Sequence, residues 1–238
     1  MQQSLSVVMS AYQKADSIEE TIQRLIAVLE NSSVMFQVIV VVDGPDKDCE
    51  KNLSNVRDER LSVLVLPQNV GKGAALRQGF QTCTGDFVAF MDADLDLHPD
   101  SVIFGLNLLA SSEDPEVVCI YGSKFHKDSV VQYPMLRRLA SGVYRLMVRM
   151  IFGLDVEDSQ TGMKVFRRGP LAMAVENCKE SRFLFDIELM SSINELGYKM
   201  VPMPVSLDYQ YSSSINLPSA LRMIEDTVKL GWRFRRAK

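Results

Sequence analysis

The sequence predicts an α/β fold in which helices cover both faces of a mostly parallel sheet. Apolar, β-branched runs of strand length alternate with segments whose apolar residues recur at helical spacing, an order typical of doubly wound sheets. The run at 36–42 is almost continuously apolar, as expected for a strand buried on both faces. With 238 residues, the chain is long enough to bury the core of one such domain.

The first half of the chain carries the clearer pattern. A helix is predicted at 16–29, with Asp16 or Ser17 as its N-cap, because its apolar residues fall on one face. A second helix is predicted at 73–82. The strands are predicted at 5–9, 36–42, 61–66, 86–91 and 117–121.

The second half is less regular. The segment 209–217 is polar and is predicted as a loop. The remaining elements are predicted as a long helix at 134–152, a short strand at 165–166, a helix at 185–196, a strand at 199–207 and a closing helix at 218–236.

Composition argues against several classes of function. A net charge of −4 does not suggest nucleic-acid binding through a basic surface. The four cysteines form no CxxC pair, which disfavours a zinc site and favours reduced thiols in a cytoplasmic protein. With only two histidines, a histidine triad is not expected. The longest apolar run falls well short of the ~20 residues that cross a bilayer, although attachment to a membrane surface stays open.

Two acids follow directly after the predicted strand at 86–91. Asp92 and Asp94 lie one residue apart, where ligands bind at the carboxyl ends of strands in open α/β sheets. Such a pair repels itself unless a cation sits between the carboxylates, and hard oxygen ligands suit Mg²⁺ or Mn²⁺. Taken alone, the motif fits a pair of solvated loop acids or a helix N-cap ahead of Pro99 equally well.

Three further polar segments stand beside predicted strands. Asp43 ends the strand at 36–42 and would accept hydrogen bonds from a base or ribose, although alone it is typical of a turn before Gly44. The segment 69–73 opens a helix with two glycines, which favours an anion or a simple tight turn. The segment 158–164 combines an acid, an amide, a glycine and a lysine, and fits a ligand site or an ordinary loop.

In this order, the segments resemble family 2 inverting glycosyltransferases, and within them the dolichyl- and polyprenyl-phosphate hexose (mannose or glucose) synthases. The resemblance runs from residue 6 to about residue 214. It is carried by N-V-G-K-G-A-A at 69–75, D-A-D at 92–94 and D-S-Q-T-G-M-K at 158–164, the last similar to the family's D-T-Q-C-G-F-K.

The resemblance implies a GT-A domain over 1–217, with 218–238 as an amphipathic C-terminal helix of the same unit. It implies a nucleoside diphosphate sugar as donor and Mg²⁺ or Mn²⁺ held by Asp92, Asp94 and Gln160. Residues implied to contact the nucleotide or its diphosphate are Ala11, Tyr12, Asp43, Gly71, Lys72, Asp92, Ala93 and Asp94.

On the acceptor side, the segment 122–124 looks like the family's G-S-R, which implies that Lys124 meets a phosphate. Arg138 and Ser141 match the family's R-x-x-S, which implies a place near the acceptor phosphate. Lys124 stands where the family has arginine and therefore lacks bidentate phosphate recognition. The segments 10–14 and 42–45 also depart from the family's P-x-Y-N-E-E and D-D-G-S, so the nucleotide base is left open.

The implied reaction is inverting transfer of a hexose, from a donor of the GDP-mannose or UDP-glucose type, to a polyprenyl phosphate on the cytoplasmic face. A phosphate acceptor is already anionic and needs no strong base. A saccharide or protein hydroxyl is the alternative acceptor, and it would require a carboxylate base, first Asp158 and then Asp186. A non-catalytic nucleotide-sugar binder and a nucleotidyltransferase are the rival classes.

Two predicted helices are both apolar and basic. The helix at 134–152 holds four arginines and no acid, with apolar residues at 136, 139, 143, 147 and 150 on one face. The closing helix has an apolar stripe through Ile224, Val228 and Trp232, and basic last turns. Either helix alone fits ordinary packing on a core, and together they also fit a peripheral membrane surface.

Overall fold

The computed structural model describes residues 3–94, 97–131, 135–207 and 217–236. Within these ranges it does not describe the side chains of 135–140, 217–223 and 235–236. The strands are β1 (Ser4–Ala11), β2 (Met35–Val42), β3 (Leu61–Val65), β4 (Phe87–Asp92), β5 (Val117–Ser123), β6 (Val130–Val131), β7 (Met163–Arg167), β8 (Lys199–Pro204) and β9 (Ser206–Leu207). The helices are α1 (Ala15–Glu30), α2 (Lys47–Asn55), α3 (Lys72–Phe80), α4 (Asp100–Ala110), α5 (Met135–Phe152), α6 (Arg168–Glu176), α7 (Phe185–Glu195) and α8 (Leu217–Arg236).

The described residues form one seven-stranded sheet in the order β3-β2-β1-β4-β7-β5-β8, and a small pair β6-β9. The chain builds outward from β1 to β3 and then returns to place β4 on the other side of β1. This reversal is the switch point at which open α/β sheets bind ligands, beyond the carboxyl ends of the strands. Ser10 of β1 lies beside Asp92 of β4 at this point.

Successive side chains of the central strands point to opposite faces of the sheet and contribute to two apolar layers. In β1, Val7 and Met9 pack on the face that α1, α2 and α4 cover. Val8 points to the opposite face, into a layer with Leu76 of α3 and Phe185 of α7. Because both faces of the sheet are covered, the strands hold fixed positions and their ends form a rigid base for a site.

The mostly parallel sheet is confirmed, and one strand departs from it. β7 runs antiparallel between β4 and β5. The strand predicted at 165–166 was too short to indicate whether it runs parallel or antiparallel. In the structure this strand extends over Met163–Arg167. The predicted strand at 199–207 is two strands, β8 and β9, with Val205 between them.

Three helices were not predicted, namely α2, α4 and α6. α2 buries only Cys49 and Leu53, so its apolar residues show little helical periodicity. Asp46 caps this helix, because its carboxylate accepts the Cys49 N–H at 3.0 Å. The N-cap predicted for α1 was wrong: Lys14 holds that position without a side-chain hydrogen bond, and Asp16 lies in the first turn. There the acid still favours the positive end of the helix dipole.

α5 and α8 pack against each other. The Tyr144 hydroxyl lies 2.9 Å from the Thr227 hydroxyl. The rings of Phe152 and Phe234 meet edge to face at 5.6 Å. None of the helices in the described part of the chain combines the length and apolar character that a bilayer crossing needs.

Candidate active site

Asp92 ends β4 with its carboxylate at the switch point of the sheet. Its backbone N–H donates to the carbonyl of Gly162 at 2.9 Å. A β-carbon on residue 162 would overlap the Asp92 carboxylate, so only glycine allows this approach. The predicted segments 92–94 and 158–164 are therefore brought together, although they are far apart in sequence.

Lys72 provides the positive charge beside Asp92. It is the first residue of α3, and its Nζ lies 2.7 Å from Asp92 Oδ1 and 3.4 Å from Asp186 Oδ2. The other oxygen of Asp186 accepts from Lys164 Nζ at 2.7 Å, and Lys164 also donates to the carbonyl of Thr161 at 2.7 Å. Two lysines and two aspartates thus alternate in one network at the base of the site.

Ion pairing, which outweighs burial, sets the protonation states of Asp186 and Lys72. The side chains of Lys164 and Asp186 are 1% and 5% exposed. Burial alone would raise the pKa of Asp186, but attraction to Lys164 and Lys72 outweighs it and the pKa lies below its usual value. Burial alone would lower the pKa of Lys72, but Asp186 and Asp92 raise it above its usual value. Both groups are therefore charged at neutral pH.

Asp43 organises the loop that leads into α3. Its carboxylate accepts the N–H of Val70 at 2.7 Å and of Gly71 at 2.9 Å. Gly71 has φ +95°, a conformation that other residues rarely adopt, and a β-carbon there would crowd the carbonyl of Ser181. Because Asp43 is only 3% exposed, its observed contacts are with this loop, and contact with a nucleotide base stays a prediction.

The carboxyl end of β1 borders the same region. Ala11 is buried, and its carbonyl accepts the Asp43 N–H at 2.8 Å. The next side chain, Tyr12, is 53% exposed and therefore available to a ligand. Gln13 has φ +53°, which is unusual for a residue with a side chain and is often found at functional sites. No pattern in the sequence indicated this conformation.

Lys124 and Asp158 form the opposite side of the site. Lys124 Nζ lies 3.4 Å from Asp158 Oδ2, and its backbone N–H donates to the same oxygen at 3.3 Å. Asp158 Oδ1 accepts the N–H of Gln160 at 3.1 Å. The side-chain nitrogen of Gln160 and the hydroxyl of Thr161 are buried without a hydrogen-bond partner among the described residues. An amide with unmet hydrogen bonds suits a ligand site.

A loop that the sequence did not single out supports the start of α3. Ser181 accepts the Ala74 N–H at 3.0 Å through its carbonyl. The loop is held from behind by Glu188, whose carboxylate accepts the N–H of Lys179 at 2.8 Å and of Glu180 at 2.6 Å. Burial raises the pKa of Glu188, although these bonds partly oppose the shift. A buried acid in an apolar helix gave no local signal of this role.

Three predicted site residues remain to be placed. Asp94 lies two residues beyond β4 and is partly buried. Ser141 lies on α5 and is also partly buried. Arg138 lies on the same helix, but its side chain is outside the described residues.

Asp92, Asp94 and Gln160 offer two carboxylates and an amide to a divalent ion that takes part of its coordination from elsewhere. No group of three or more His, Cys, Asp and Glu that would hold a metal occurs within the described ranges. The Lys72 ammonium already stands in for a cation at Asp92. Two carboxylates and an amide suit Mg²⁺ or Mn²⁺, ions that commonly complete their shells with water and substrate phosphate.

Comparisons with known proteins agree with this architecture. Glycosyltransferase AglD of Haloferax volcanii is 25% identical over 90% of this chain, but the chain spans only 34% of that protein's length. Dolichyl-phosphate beta-glucosyltransferase ALG5A of Trichomonas vaginalis is 23% identical over 95% of this chain and 72% of its own length.

Solved structures show the same fold. Glucosyl-3-phosphoglycerate synthase of Mycobacterium tuberculosis, solved with phosphoglyceric acid, superposes with a TM-score of 0.73 at 19% identity, over 96% of this chain and 80% of the other. The same enzyme solved with Mn²⁺, uridine-diphosphate-glucose and glycerol 3-phosphate gives a TM-score of 0.71 at 19% identity, over 96% and 80% of the chains. The GT-A fold is thereby confirmed.

The family model described as "Glycosyl transferase family 2" matches residues 6–172, which run from β1 through most of α6. That span contains the loop that Asp43 holds, the strand-end acids Asp92 and Asp94, and the segment that meets them at Gly162. The chain belongs to glycosyl transferase family 2.

Proposed function

We propose that this chain is an inverting, divalent-metal-dependent hexosyltransferase that moves a hexose from a nucleoside diphosphate sugar to a polyprenyl phosphate. Family membership supports sugar transfer. Two curated relatives of similar extent are named dolichyl-phosphate beta-glucosyltransferases, which supports a lipid phosphate as acceptor. The arrangement of charges in the site supports the same acceptor on independent grounds.

The donor would lie across the carboxyl ends of β1, β2 and β4. Tyr12 offers an exposed ring beside the buried Ala11, and Asp43 fixes the loop through Gly71. The N-terminus of α3 begins at Lys72, where a helix dipole and an ammonium group favour a diphosphate. The proposal does not specify the nucleotide base of the donor, because the segments 10–14 and 42–45 depart from the family pattern.

The metal would be held by Asp92 and Asp94, with Gln160 as a further ligand and Ala93 between the acids. When bound, Mg²⁺ or Mn²⁺ supplies Lewis-acid stabilisation of the negative charge on the leaving diphosphate. Gly162 fixes the position of Asp92. Its carbonyl accepts the Asp92 N–H, and because it has no β-carbon, the Asp92 carboxylate can pack against it. The mycobacterial synthase, which shares the fold, was solved with Mn²⁺ and uridine-diphosphate-glucose, and this supports a divalent ion beside a sugar nucleotide.

The choice of a phosphate acceptor rests on the contacts that the two candidate bases, Asp158 and Asp186, already make. Asp158 contacts Lys124 and the Gln160 N–H, and Asp186 contacts Lys72 and Lys164. The pKa of Asp186 lies below its usual value because Lys164 and Lys72 favour its ionised form, so Asp186 is a weak base. Asp158 is already engaged by Lys124 and by the Gln160 N–H. A phosphate acceptor brings its own anionic nucleophile and needs no base, so these pairings carry the proposal for phosphate over a hydroxyl.

Lys124, Arg138 and Ser141 would receive the acceptor phosphate. Lys124 lies at the end of β5 and faces Asp158, which positions its ammonium at the rim of the site. Arg138 and Ser141 are three positions apart on α5, a spacing that places two residues on one face of a helix.

The outer sides of α5 and α8 support a peripheral position on an anionic membrane. Val143 and Met150 of α5 are 70% and 65% exposed, and Trp232 of α8 is 64% exposed. Leu230 of α8 is buried instead, and Phe234 packs inward against Phe152. α5 carries four arginines and no acid, while α8 carries five basic and two acidic residues. Apolar area with a surplus of positive charge suits the anionic lipids of a cytoplasmic leaflet.

A donor and acceptor screen tests this function. The chain is incubated with radiolabelled GDP-mannose or UDP-glucose, Mn²⁺ or Mg²⁺, and polyprenyl phosphate, and organic-soluble label is counted. We expect label in the organic phase with one donor and with the phosphorylated lipid only. Equal transfer to free polyprenol or to a saccharide would favour the hydroxyl alternative instead. Donor binding without transfer to any acceptor would indicate a non-catalytic binder.

A further inference from the structure

Both oxygens of Asp92 have close neighbours. Oδ1 lies 2.7 Å from Lys72 Nζ. Oδ2 is packed against Gly162 at the place where a β-carbon would overlap it. The ammonium of Lys72 therefore pairs with the Asp92 oxygen that is not packed against Gly162.

Lys72 is held at this place from two directions. Asp186 Oδ2 lies 3.4 Å behind its ammonium, and Asp186 is itself fixed by Lys164 at 2.7 Å. The Lys72 side chain is 16% exposed while that of Asp92 is 36% exposed, so the pair faces solvent on the Asp92 side. Asp186 is therefore a second, deeper partner that keeps Lys72 nearby if its bond to Asp92 is broken.

The charges of the four groups balance without a metal. Lys72 and Lys164 offset Asp92 and Asp186. Lys72 lies 2.7 Å from Asp92 and 3.4 Å from Asp186, and Lys164 lies 2.7 Å from Asp186. A divalent ion at Asp92 Oδ1 would meet the Lys72 ammonium at close range, where like charges repel. Metal and lysine therefore compete for the same carboxylate oxygen.

We propose that Lys72 is the resident counter-cation of Asp92, and that a divalent ion must displace it. On displacement, Lys72 would stay beside Asp186 at the start of α3 and turn its ammonium towards the diphosphate. This inference rests on the proposed function, because it takes the metal to bind at Asp92. It makes Lys72 a positioning residue that couples the metal to the nucleotide.

The coupling has a defined direction. Without a diphosphate, the metal must break the Lys72–Asp92 pair and leave an ammonium unpaired on one side, so binding of the metal alone is weak. With a diphosphate, the displaced ammonium gains a new anionic partner. Each ligand therefore favours the other, as thermodynamic linkage requires of any coupled pair.

The test measures Mn²⁺ binding to nucleotide-free protein by the electron paramagnetic resonance signal of free Mn²⁺. We expect K72M to bind Mn²⁺ about tenfold more tightly than the wild type, within the usual range of coupling between sites. K72R keeps the charge and should bind as weakly as the wild type. K51M removes an exposed lysine on α2 and should also leave the affinity unchanged.

A double variant, K72M with D92N, identifies where the ion binds. Loss of the tightened binding in this variant places the ion at Asp92, as the proposal requires. Equal affinity of K72M and wild type would overturn the role of Lys72 while leaving the metal site of the proposed function intact. If neither protein binds Mn²⁺ at millimolar concentration, the metal site itself fails, and the role of Lys72 fails with it.

A measurement on the wild type keeps the test independent of whether K72M folds. Lysines are acetylated with and without Mn²⁺, and the modified sites are quantified by mass spectrometry. We expect Mn²⁺ to increase the acetylation rate of Lys72 relative to Lys51, because displacement removes the Asp92 contact. An unchanged ratio at a concentration where Mn²⁺ is bound would overturn the proposal.

Discussion

Gly162 and Asp92 are matched in two ways at the centre of the site. The Gly162 carbonyl accepts the Asp92 N–H at 2.9 Å, and the missing β-carbon of Gly162 leaves room for the Asp92 carboxylate. The position of Asp92, at the end of β4, thus depends on Gly162, which directly precedes β7.

G162A is expected to reduce transfer by about 100-fold, because a β-carbon must push the Asp92 carboxylate out of position and small displacements of catalytic groups cost about that much. The turnover number of the variant should fall more than its melting temperature. G169A is the matched control, because a β-carbon there meets nothing within 4 Å. Wild-type turnover in G162A would show that the place of Asp92 does not matter for transfer.

D186N is expected to lower the free energy of unfolding by about 3 kcal/mol at pH 7, since it leaves the buried Lys164 and the partly buried Lys72 without their shared carboxylate. The pKa of Asp186 is lowered in the folded protein. Its stabilisation is therefore present above the unfolded value of about 3.9 and is lost as pH falls through the folded pKa.

Urea unfolding of wild type and D186N between pH 7 and about pH 3 checks this dependence. The difference between the two proteins should be largest above about pH 4 and should shrink as pH falls below that value. D48N, an exposed change on α2, should stay within about 0.5 kcal/mol of the wild type at each pH. A difference that grows as pH falls would mean that Asp186 is not held as an anion by the two lysines.

R138A is expected to weaken use of the acceptor by about tenfold to a hundredfold, the usual worth of a hydrogen bond to a charged group. The KM for polyprenyl phosphate should rise while the affinity for the donor nucleotide stays constant. R149A, on the same helix and paired with Asp155, controls for the loss of one arginine. A parallel fall in nucleotide affinity would assign Arg138 to the donor side.

W232A is expected to weaken binding to anionic vesicles roughly tenfold, because it removes exposed apolar area that would enter the interface. Its melting temperature should hardly change. L230A, two residues away but 1% exposed, should lower the melting temperature and leave the binding of folded protein unchanged. Binding should also weaken with added salt, since exposed charges are screened over about 8 Å at physiological ionic strength.

These point variants separate vesicle binding from stability better than a deletion of residues 231–238 would. That deletion would also remove the Phe234 contact with Phe152 and the ion pair between Arg233 and Glu180. Loss of both stability and vesicle binding would then have two explanations. Full-length protein that stays in the supernatant with anionic vesicles at low salt would contradict the membrane position.

Local patterns predicted most of the fold and part of the site. The strand leading to Asp92 was visible because its apolar run ends abruptly in an acid, and helix α5 was visible from its period. Helix α2 was missed because it buries only two residues. The stripe through Trp232 was recognised, but its exposure depends on which side of α8 packs on α5, and this is a tertiary property.

The pairing of charges could not be predicted. Lys72 and Asp186 are far apart in sequence and meet only because α3 and α7 cover the same face of the sheet. Asp186 was considered as a base, and the structure instead makes it a partner of two lysines. Likewise, a glycine in D-S-Q-T-G-M-K gave no sign that it would lie against Asp92.

The most direct test of metal-dependent transfer compares wild type with D94N. Both are assayed for organic-soluble labelled sugar with polyprenyl phosphate, in EDTA and then with saturating Mn²⁺, while circular dichroism confirms that the variant is folded. Wild type should be inactive in EDTA and recover with Mn²⁺. D94N should lose at least roughly a thousandfold in turnover, because a metal contributes several kcal/mol to stabilising the leaving diphosphate. Near-wild-type turnover of folded D94N with Mn²⁺ would contradict the assignment of Asp92 and Asp94 as the metal site.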